Sequence, residues 1–239
     1  MRLNYFLFPI FILLLFLIRV SNGETINLFK KDGLRYEIGD ETPFTGNYGE
    51  LYDNKNKKFE TNFVNGIKHG IEIHYYENGN KKTELNFING IQEDIETHYY
   101  ENGKKKAEIE IKNGQKNGKM ISWHESGKIL GIADFKNNSH DGISFAWFEN
   151  GNIKAEGHFS GGHQNGIEIQ YFPNGNKKLQ GFFKDGKLHG LEVQWYESGQ
   201  KKSEIIYKNG ERTQIQKFWN SNGILSHEEG MSVEKKFEH

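Results

Sequence analysis

The chain has no cysteine and only three prolines among its 239 residues. Without cysteine it forms neither disulfides nor thiolate metal sites, and it cannot carry a lipid on a cysteine. Its formal net charge is −1, and such a balance gives no electrostatic surface for nucleic acid. We therefore expect no nucleic-acid partner, and we expect the fold to be stabilised by packing alone.

Long apolar runs are also missing, except at the N-terminus. Residues 5–18 are apolar and follow Arg2, but this run is shorter than the roughly 20 residues of a membrane-spanning helix. Ser21 and Gly23 place small residues before a cleavage point ahead of Glu24. The sequence predicts a signal peptide over residues 1–23, with an uncleaved anchor as the alternative. Either outcome predicts export to the periplasm, the cell surface or the medium.

A repeat dominates the rest of the sequence. HYYENGNKKTE at 74–84 returns as HYYENGKKKAE at 98–108, and the glycine of ENG recurs with a spacing of 24 residues at Gly79, Gly103, Gly127, Gly151, Gly175, Gly199 and Gly223. A cap segment over 24–45 is followed by a repeat domain over 46–239, with units starting at 46, 70, 94, 118, 142, 166, 190 and 214. A periodic chain of this kind grows by stacking units, so we expect one continuous body.

Each unit has the pattern of two β-strands. Apolar residues alternate with polar ones, first at Ile71, Ile73 and Tyr75 and then, after an Asn-Gly turn, at Thr83, Leu85 and Phe87. If all six side chains share one face, the loop at Gly79 must contain an odd number of residues. We expect a three-residue loop with Gly79 in the left-handed conformation. The same register places Trp147 opposite Ala155 on a core face.

The unit pattern YYENG-x-K-K-x-E followed by NG-x-x-x-G resembles the MORN repeat. The resemblance is to the variant found in bacterial proteins named as antitoxin components of toxin-antitoxin modules. It covers residues 31–230, including the start KDGLRYEIGDETPFTG, and departs where Lys55, Asp94, Asn138 and Gln214 replace glycine. It implies an all-β fold: an elongated, twisted antiparallel meander sheet built from about eight β-hairpin repeats. The residue pattern independently requires the same architecture.

Residues that could carry chemistry recur in unit after unit. This recurrence argues against catalysis, because an active site is needed once and a packing solution is needed in every unit. His74 and His98 lie one unit apart, and two strand spacings would separate them by about 9 to 10 Å, too far for one metal ion. We expect neither an enzyme, nor a cofactor, nor a metal site.

Aromatic residues occupy two successive places in the unit. The sixth place holds all four tryptophans, Trp123, Trp147, Trp195 and Trp219. The seventh place holds Tyr52, Tyr76, Tyr100, His124, Phe148, Phe172 and Tyr196. Because neighbours on a strand point to opposite faces, this seventh-place row either packs across the sheet or forms an aromatic strip that binds a partner. The candidate binding residues are Tyr52, Tyr76, Tyr100, Phe148, Phe172 and Tyr196.

Three functions remain open from the sequence. The first is a non-enzymatic, exported binding or scaffold protein of the bacterial envelope or exterior, with a protein or polymer partner. The second, implied only by the resemblance, is an antitoxin or immunity protein that neutralises a partner toxin. The third is a phospholipid-binding module, which the near-neutral charge disfavours, because acidic headgroups select basic clusters.

Overall fold

The computed structural model describes residues 26–230 of the chain. In that range the chain forms strands and turns but no helix, and hence no helical membrane span. The signal peptide that the sequence predicts lies outside the described residues and stays a prediction.

The strands form a series of β-hairpins along the chain. A short N-terminal hairpin consists of β1 (Leu28–Lys31) and β2 (Leu34–Glu37). The repeat units contribute β3 (Gly46–Leu51), β4 (Lys57–Val64), β5 (Ile67–Lys68), β6 (Gly70–Tyr75), β7 (Lys81–Ile88), β8 (Ile91–Tyr99), β9 (Lys105–Lys112), β10 (Gln115–Trp123), β11 (Ile129–Lys136), β12 (Ser139–Trp147), β13 (Ile153–Ser160), β14 (His163–Gln164), β15 (Gly166–Tyr171), β16 (Lys177–Lys184), β17 (Lys187–Leu188), β18 (Gly190–Trp195), β19 (Lys201–Lys208), β20 (Glu211–Trp219) and β21 (Leu225–Glu229).

One antiparallel sheet contains every strand from β3 to β21, in chain order. The pairs β5/β6, β14/β15 and β17/β18 are single strands interrupted at one residue, so the sheet has sixteen strands, two for each unit. Among the described strands no ladder joins β21 back to β3. The molecule is therefore a long, open meander of hairpins, which confirms the predicted fold.

The loop at Gly79 has the predicted three-residue form. The Tyr76 N–H donates to the Asn80 carbonyl at 2.8 Å, and the Gly79 N–H donates to the Tyr76 carbonyl at 2.9 Å. Gly79 has a φ of 88°, a conformation that costs glycine little because it has no Cβ. Glu77, Asn78 and Gly79 therefore form the loop between two paired residues.

The predicted register beyond this loop is wrong. Tyr75 pairs with Lys81, but His74 pairs with Thr83, so Lys82 is an extra residue in a β-bulge. The bulge cancels the offset that the odd loop introduces, and Ile73 therefore lies opposite Glu84.

The same bulge recurs in the hairpin that contains Trp147. Trp147 pairs with Ile153, while Ala155 pairs with Ala146. The expectation that Trp147 faces Ala155 across a core is thus also wrong, because it depended on the uncorrected register.

The sheet has two unequal faces. The packed face carries the third, fifth, fourteenth, sixteenth and eighteenth places of the units, since Glu72 pairs with Leu85 and His74 with Thr83. Apart from glycine and Thr97, the buried residues of the described chain belong to it: Thr61, Phe63, Glu72, Ala107, Ile109, Ile111, Glu192, Ser203, Ile205 and Tyr207. The open face carries the sixth-place aromatics and a row of exposed aliphatic residues, Ile71, Ile95, Ile143, Ile167 and Leu191.

The N-terminal segment accepts the hydrogen bonds that a preceding repeat unit would accept. Inside the repeat, a turn residue donates to a carbonyl one unit back, as when the Gly90 N–H donates to the Lys68 carbonyl at 2.8 Å. In the first unit the Gly66 N–H donates instead to the Phe44 carbonyl at 2.7 Å. The Asn65 N–H donates to Thr45 Oγ1 at 2.9 Å. Phe44 and Thr45 thereby cover one corner of the first unit.

Candidate binding surface along the turn edge

The seventh-place row lies beside the ENG turns, where most of its members link consecutive units. Each tyrosine hydroxyl donates to the sixth-place carbonyl of the next unit, at 2.7 to 2.9 Å, in the pairs Tyr52 to Tyr75, Tyr76 to Tyr99, Tyr100 to Trp123 and Tyr196 to Trp219. All six candidate binding residues are half-buried. The tyrosines therefore have a structural role in joining units, and a binding role for the row stays a prediction.

Asparagine side chains strengthen the same edge. The amides of Asn78 and Asn80 both donate to the Glu101 carbonyl of the next unit, at 3.0 and 2.8 Å. The same pair of bonds is repeated from Asn54 and Asn56, from Asn150 and Asn152, and from Asn174 and Asn176. Each such bond contributes roughly 0.5 to 1.5 kcal/mol. The ENG turns thus form a continuous, hydrogen-bonded edge.

Lysines cover the outer side of the seventh-place rings. The five pairs, with 5.5 to 5.9 Å between the lysine Nζ and the ring centroid, are Lys82 on Tyr76, Lys106 on Tyr100, Lys154 on Phe148, Lys178 on Phe172 and Lys202 on Tyr196. All five lysines are exposed. None of them lies in an ion pair with a described residue, whereas lysines such as Lys81 pair with glutamates on the open face. The turn edge therefore presents regularly spaced cations that are available to a partner.

Carboxylates on the packed face, buried at Glu72 and half-buried at Glu96, are the feature that sequence reasoning missed. Glu72 accepts hydrogen bonds from Lys68 and His74. Glu96 accepts them from Gln92 and His98. The sequence interpretation took the side of Ile71, Ile73 and Tyr75 as the apolar face, which left Glu72 and His74 on the opposite side. A glutamate followed two places later by histidine or glutamine, as at 72, 96, 168 and 192, was the signal that could have revealed these pairs.

The hydrogen bonds to these carboxylates lower their pKa values. Burial alone would raise the pKa of Glu72, but the hydrogen bonds from Lys68 and His74 outweigh it, so the pKa is lowered. For Glu96 the hydrogen bond from His98 is the largest effect, and the pKa is again lowered despite burial. Both groups are therefore ionised and paired near neutral pH, as structural links within the sheet.

We expect acid to destabilise the sheet through these two groups. A carboxyl whose pKa is lower in the folded state than in the unfolded chain stabilises the fold above the unfolded value, roughly 4.3 for glutamate, and this stabilisation is lost as the pH falls. Chemical denaturation between pH 7 and pH 3 should show a smaller loss of stability for Glu72→Gln with Glu96→Gln than for the wild type. The matched control is Glu77→Gln with Glu101→Gln, at exposed turn tips; an equal change in this control would contradict the assignment.

The open face carries tyrosine–glutamate–lysine clusters. Tyr75 donates to Glu60, which Lys57 also contacts at 2.7 Å. Burial and the neighbouring carboxylate raise the pKa of Tyr75. They raise the pKa of Tyr171, which donates to Glu156, to about 12. Tyrosines that hold their protons this firmly are poor acid–base groups, so these clusters have the character of packing contacts.

No metal-binding group emerges from the described part of the chain. Within residues 26–230, no group of three or more histidine, aspartate or glutamate side chains could hold a metal ion. Glu72 and His74 lie together, but the same pair recurs one unit later at Glu96 and His98. The arrangement offers a repetitive surface for contact with other molecules.

The fold and these contacts define a protein built from stacked β-hairpin units. A family model described as "MORN repeat variant" matches residues 68–89, 95–113, 116–137, 141–160, 164–185 and 188–209, more than half of the chain. The chain belongs to this family of MORN repeat variants. The resemblance seen in the sequence is thereby confirmed for the repeat, while the antitoxin part of that resemblance stays a prediction.

Two further comparisons add little to the family assignment. No curated protein matches the chain. Among solved structures, it is similar to a chain of the "Crystal Structure of TcdB2-TccC3-Cdc42", with 9% sequence identity and a TM-score of 0.16. That match covers 80% of this chain but only 14% of the other. A similarity at this level supports no statement about fold or function.

Proposed function

We propose that this protein is an exported, non-enzymatic scaffold that binds a protein or polymer partner through its repeat surface. The observation that carries the proposal is the repetition of exposed contact groups along one open sheet. The turn edge has five lysine–aromatic pairs without ion-pair partners, and the open face has five exposed aliphatic residues in register. Such surfaces suit an extended partner that contacts several units at once.

Export is supported by the sequence of residues 1–23. We expect mature protein recovered from the host envelope to begin at Glu24, because the apolar stretch is of signal-peptide length and the small residues precede that position. Mass spectrometry of the N-terminus in envelope and cytosolic fractions tests this expectation. Intact protein beginning at Met1 or Arg2 in the cytosol would contradict it and would favour a cytosolic role.

Partner binding is tested by capture with the full chain. A C-terminally tagged protein, cross-linked in cells and purified from the envelope fraction, should retain a protein or polymer that excess untagged protein displaces. The same chain should be floated with anionic liposomes at low and high salt. Recovery of no specific partner would contradict the scaffold proposal, and salt-sensitive flotation without a protein partner would favour the phospholipid alternative.

The antitoxin alternative has a weaker basis. It depends on the sequence resemblance alone, and export would separate the protein from a cytosolic toxin. A toxin gene beside this one, whose product the chain neutralises in co-expression, is the observation that would favour this alternative over the envelope scaffold.

A further inference from the structure

The side-chain hydrogen bonds from the seventh-place row to the next unit are missing at Phe148 and Phe172 in the fifth and sixth units. The asparagine bonds of the turn edge continue there, since Asn150 and Asn152 donate to the Pro173 carbonyl. At this junction a recess of ≈ 340 Å³ opens, lined by Phe148, Lys154, Ala155, Gln170, Tyr171, Phe172, Pro173 and Lys178. It lies where two members of the seventh-place row are phenylalanine instead of tyrosine. These are the two candidate binding residues whose side chains cannot form the hydroxyl bond to the next unit.

The missing hydroxyls change the polar groups that face the recess. In the second unit, the Tyr76 hydroxyl donates to the carbonyl of Tyr99 at 2.8 Å. Phe148 has no such donor, so in the described structure the equivalent carbonyl of Tyr171 receives no side-chain hydroxyl. The recess therefore combines an apolar ring with a backbone acceptor that a bound molecule could use.

The charge at this junction also departs from the repeat. The eighth place holds an acid at Asp53, Glu77, Glu101, Glu125, Glu149 and Glu197, but Pro173 stands there in the sixth unit. Lys154 lies 5.8 Å from the centroid of Phe148, and Lys178 lies 5.9 Å from that of Phe172. Neither lysine lies within ion-pair distance of a carboxylate in residues 26–230. The fifth unit keeps its eighth-place acid at Glu149, directly after Phe148, and the next acid of the row beyond Pro173 is Glu197.

The spacing of the two lysines fits one kind of ligand. They occupy equivalent places in neighbouring units, two strands apart, which separates them by about 9 to 10 Å. In a polyproline II segment, residues three apart lie on the same side and are separated by about 9.3 Å. Aromatic-lined grooves are a common binding surface for such segments. Two acidic side chains three residues apart could therefore each reach one lysine.

We propose that this recess binds an extended acidic peptide segment of the partner. Two carboxylates three residues apart pair with Lys154 and Lys178, and an apolar side chain between them, on the adjoining side of the threefold segment, contacts Phe148 and Phe172. The recess is open to solvent, so the peptide segment can bind along its surface. This inference rests on the proposed scaffold function, of which it identifies the partner's chemistry.

The test is fluorescence anisotropy with the full chain and a labelled, end-blocked peptide that has two glutamates three residues apart around a phenylalanine. We expect saturable binding that weakens with salt and a loss of at least tenfold when both glutamates of the peptide are glutamines. Lys154→Leu with Lys178→Leu should weaken binding by a similar factor. Leucine already occupies this place at Leu130, so the change has a precedent within the repeat.

Two milder variants restore the pattern of the other units. Pro173→Glu returns an acid to the eighth place, and Phe148→Tyr returns the hydroxyl, and both residue types occur at these places elsewhere in the chain. Each should weaken peptide binding severalfold while circular dichroism stays unchanged. The matched control is Lys184→Leu with Lys208→Leu, which removes two exposed lysines that are also one unit apart, at the ends of β16 and β19 on the opposite edge of the sheet, and should leave binding unaltered.

Several outcomes would overturn this proposal. Equal affinity for the glutamate and glutamine peptides would do so, as would equal losses in the recess variants and the control. Binding of anionic vesicles that depends on Lys154 and Lys178, without peptide binding, would assign the recess to lipid headgroups instead. If the double leucine variant still captures the partner from cells as well as the wild type does, the scaffold function stands and the recess assignment fails.

Discussion

A chain from which residues 142–165 are deleted is expected to fold into a shorter sheet, whereas deletion of residues 154–165 alone should abolish folding. The first deletion removes one unit and brings the edges of the fourth and sixth units together. Lys128 donates a hydrogen bond to the Glu149 carbonyl at 2.8 Å. After the deletion it could donate to the equivalent carbonyl of Pro173 instead. The Gly186 N–H, which now donates to the Gln164 carbonyl, would likewise donate to the His140 carbonyl. Only one interface between units is lost.

The shorter deletion removes one strand. Every later ENG turn would then lie at the opposite edge of the sheet, because the chain direction reverses from one antiparallel strand to the next. The asparagine and tyrosine bonds between units cannot form across such a junction. We expect no cooperative unfolding transition by circular dichroism and an expanded particle by X-ray scattering. Equal tolerance of the two deletions would show that the 24-residue unit is not the unit of folding.

The topology could be predicted from the sequence because the spacing is uninterrupted. The glycine of ENG recurs without insertion or deletion from Gly79 to Gly223, and each turn carries residues that favour positive φ. Asn89 and Gly90, for example, have φ values of 51° and 80°, as expected of a two-residue hairpin turn. Strong local signals repeated in every unit leave little choice of architecture.

Register could not be predicted in the same way. It depends on two successive one-residue offsets, the odd loop at Gly79 and the bulge at Lys82, and the second has no distinctive residue signal because lysine also occupies the place before it. A single slip exchanges the two faces of a strand. For this reason Glu72, which lies on the side opposite the predicted apolar face, is buried, whereas Trp147 was expected in a core and is half-exposed.

The candidate site was only partly accessible from the sequence. The residues of the seventh-place row were identified, but the bond from the Tyr76 hydroxyl to Tyr99 joins residues that only the stacking of units brings together. The sequence contains Pro173 where other units have an acid. Its role in a binding site follows only from its proximity to Lys154 and Lys178. Recognising the recess required the three-dimensional neighbourhood of all three.

Adjacent isoleucines on β19 provide a direct test of which face is packed. Ile205 lies on the packed face, 2% exposed, and pairs with Glu192. Ile206 points to the open face and pairs with Leu191, which is 50% exposed. Their identical chemistry and neighbouring positions make each the matched control of the other.

Ile205→Ala should lower the free energy of unfolding by about 2 to 5 kcal/mol, because it removes buried methyl groups and leaves a cavity. Ile206→Ala should lower it by roughly 1 kcal/mol, as for a partly exposed side chain outside the core. Urea denaturation of both variants, with partner capture measured in parallel, separates stability from binding. If Ile206→Ala costs as much as Ile205→Ala, both faces are core, and the partner must bind at the turn edges, where the recess between Phe148 and Phe172 lies.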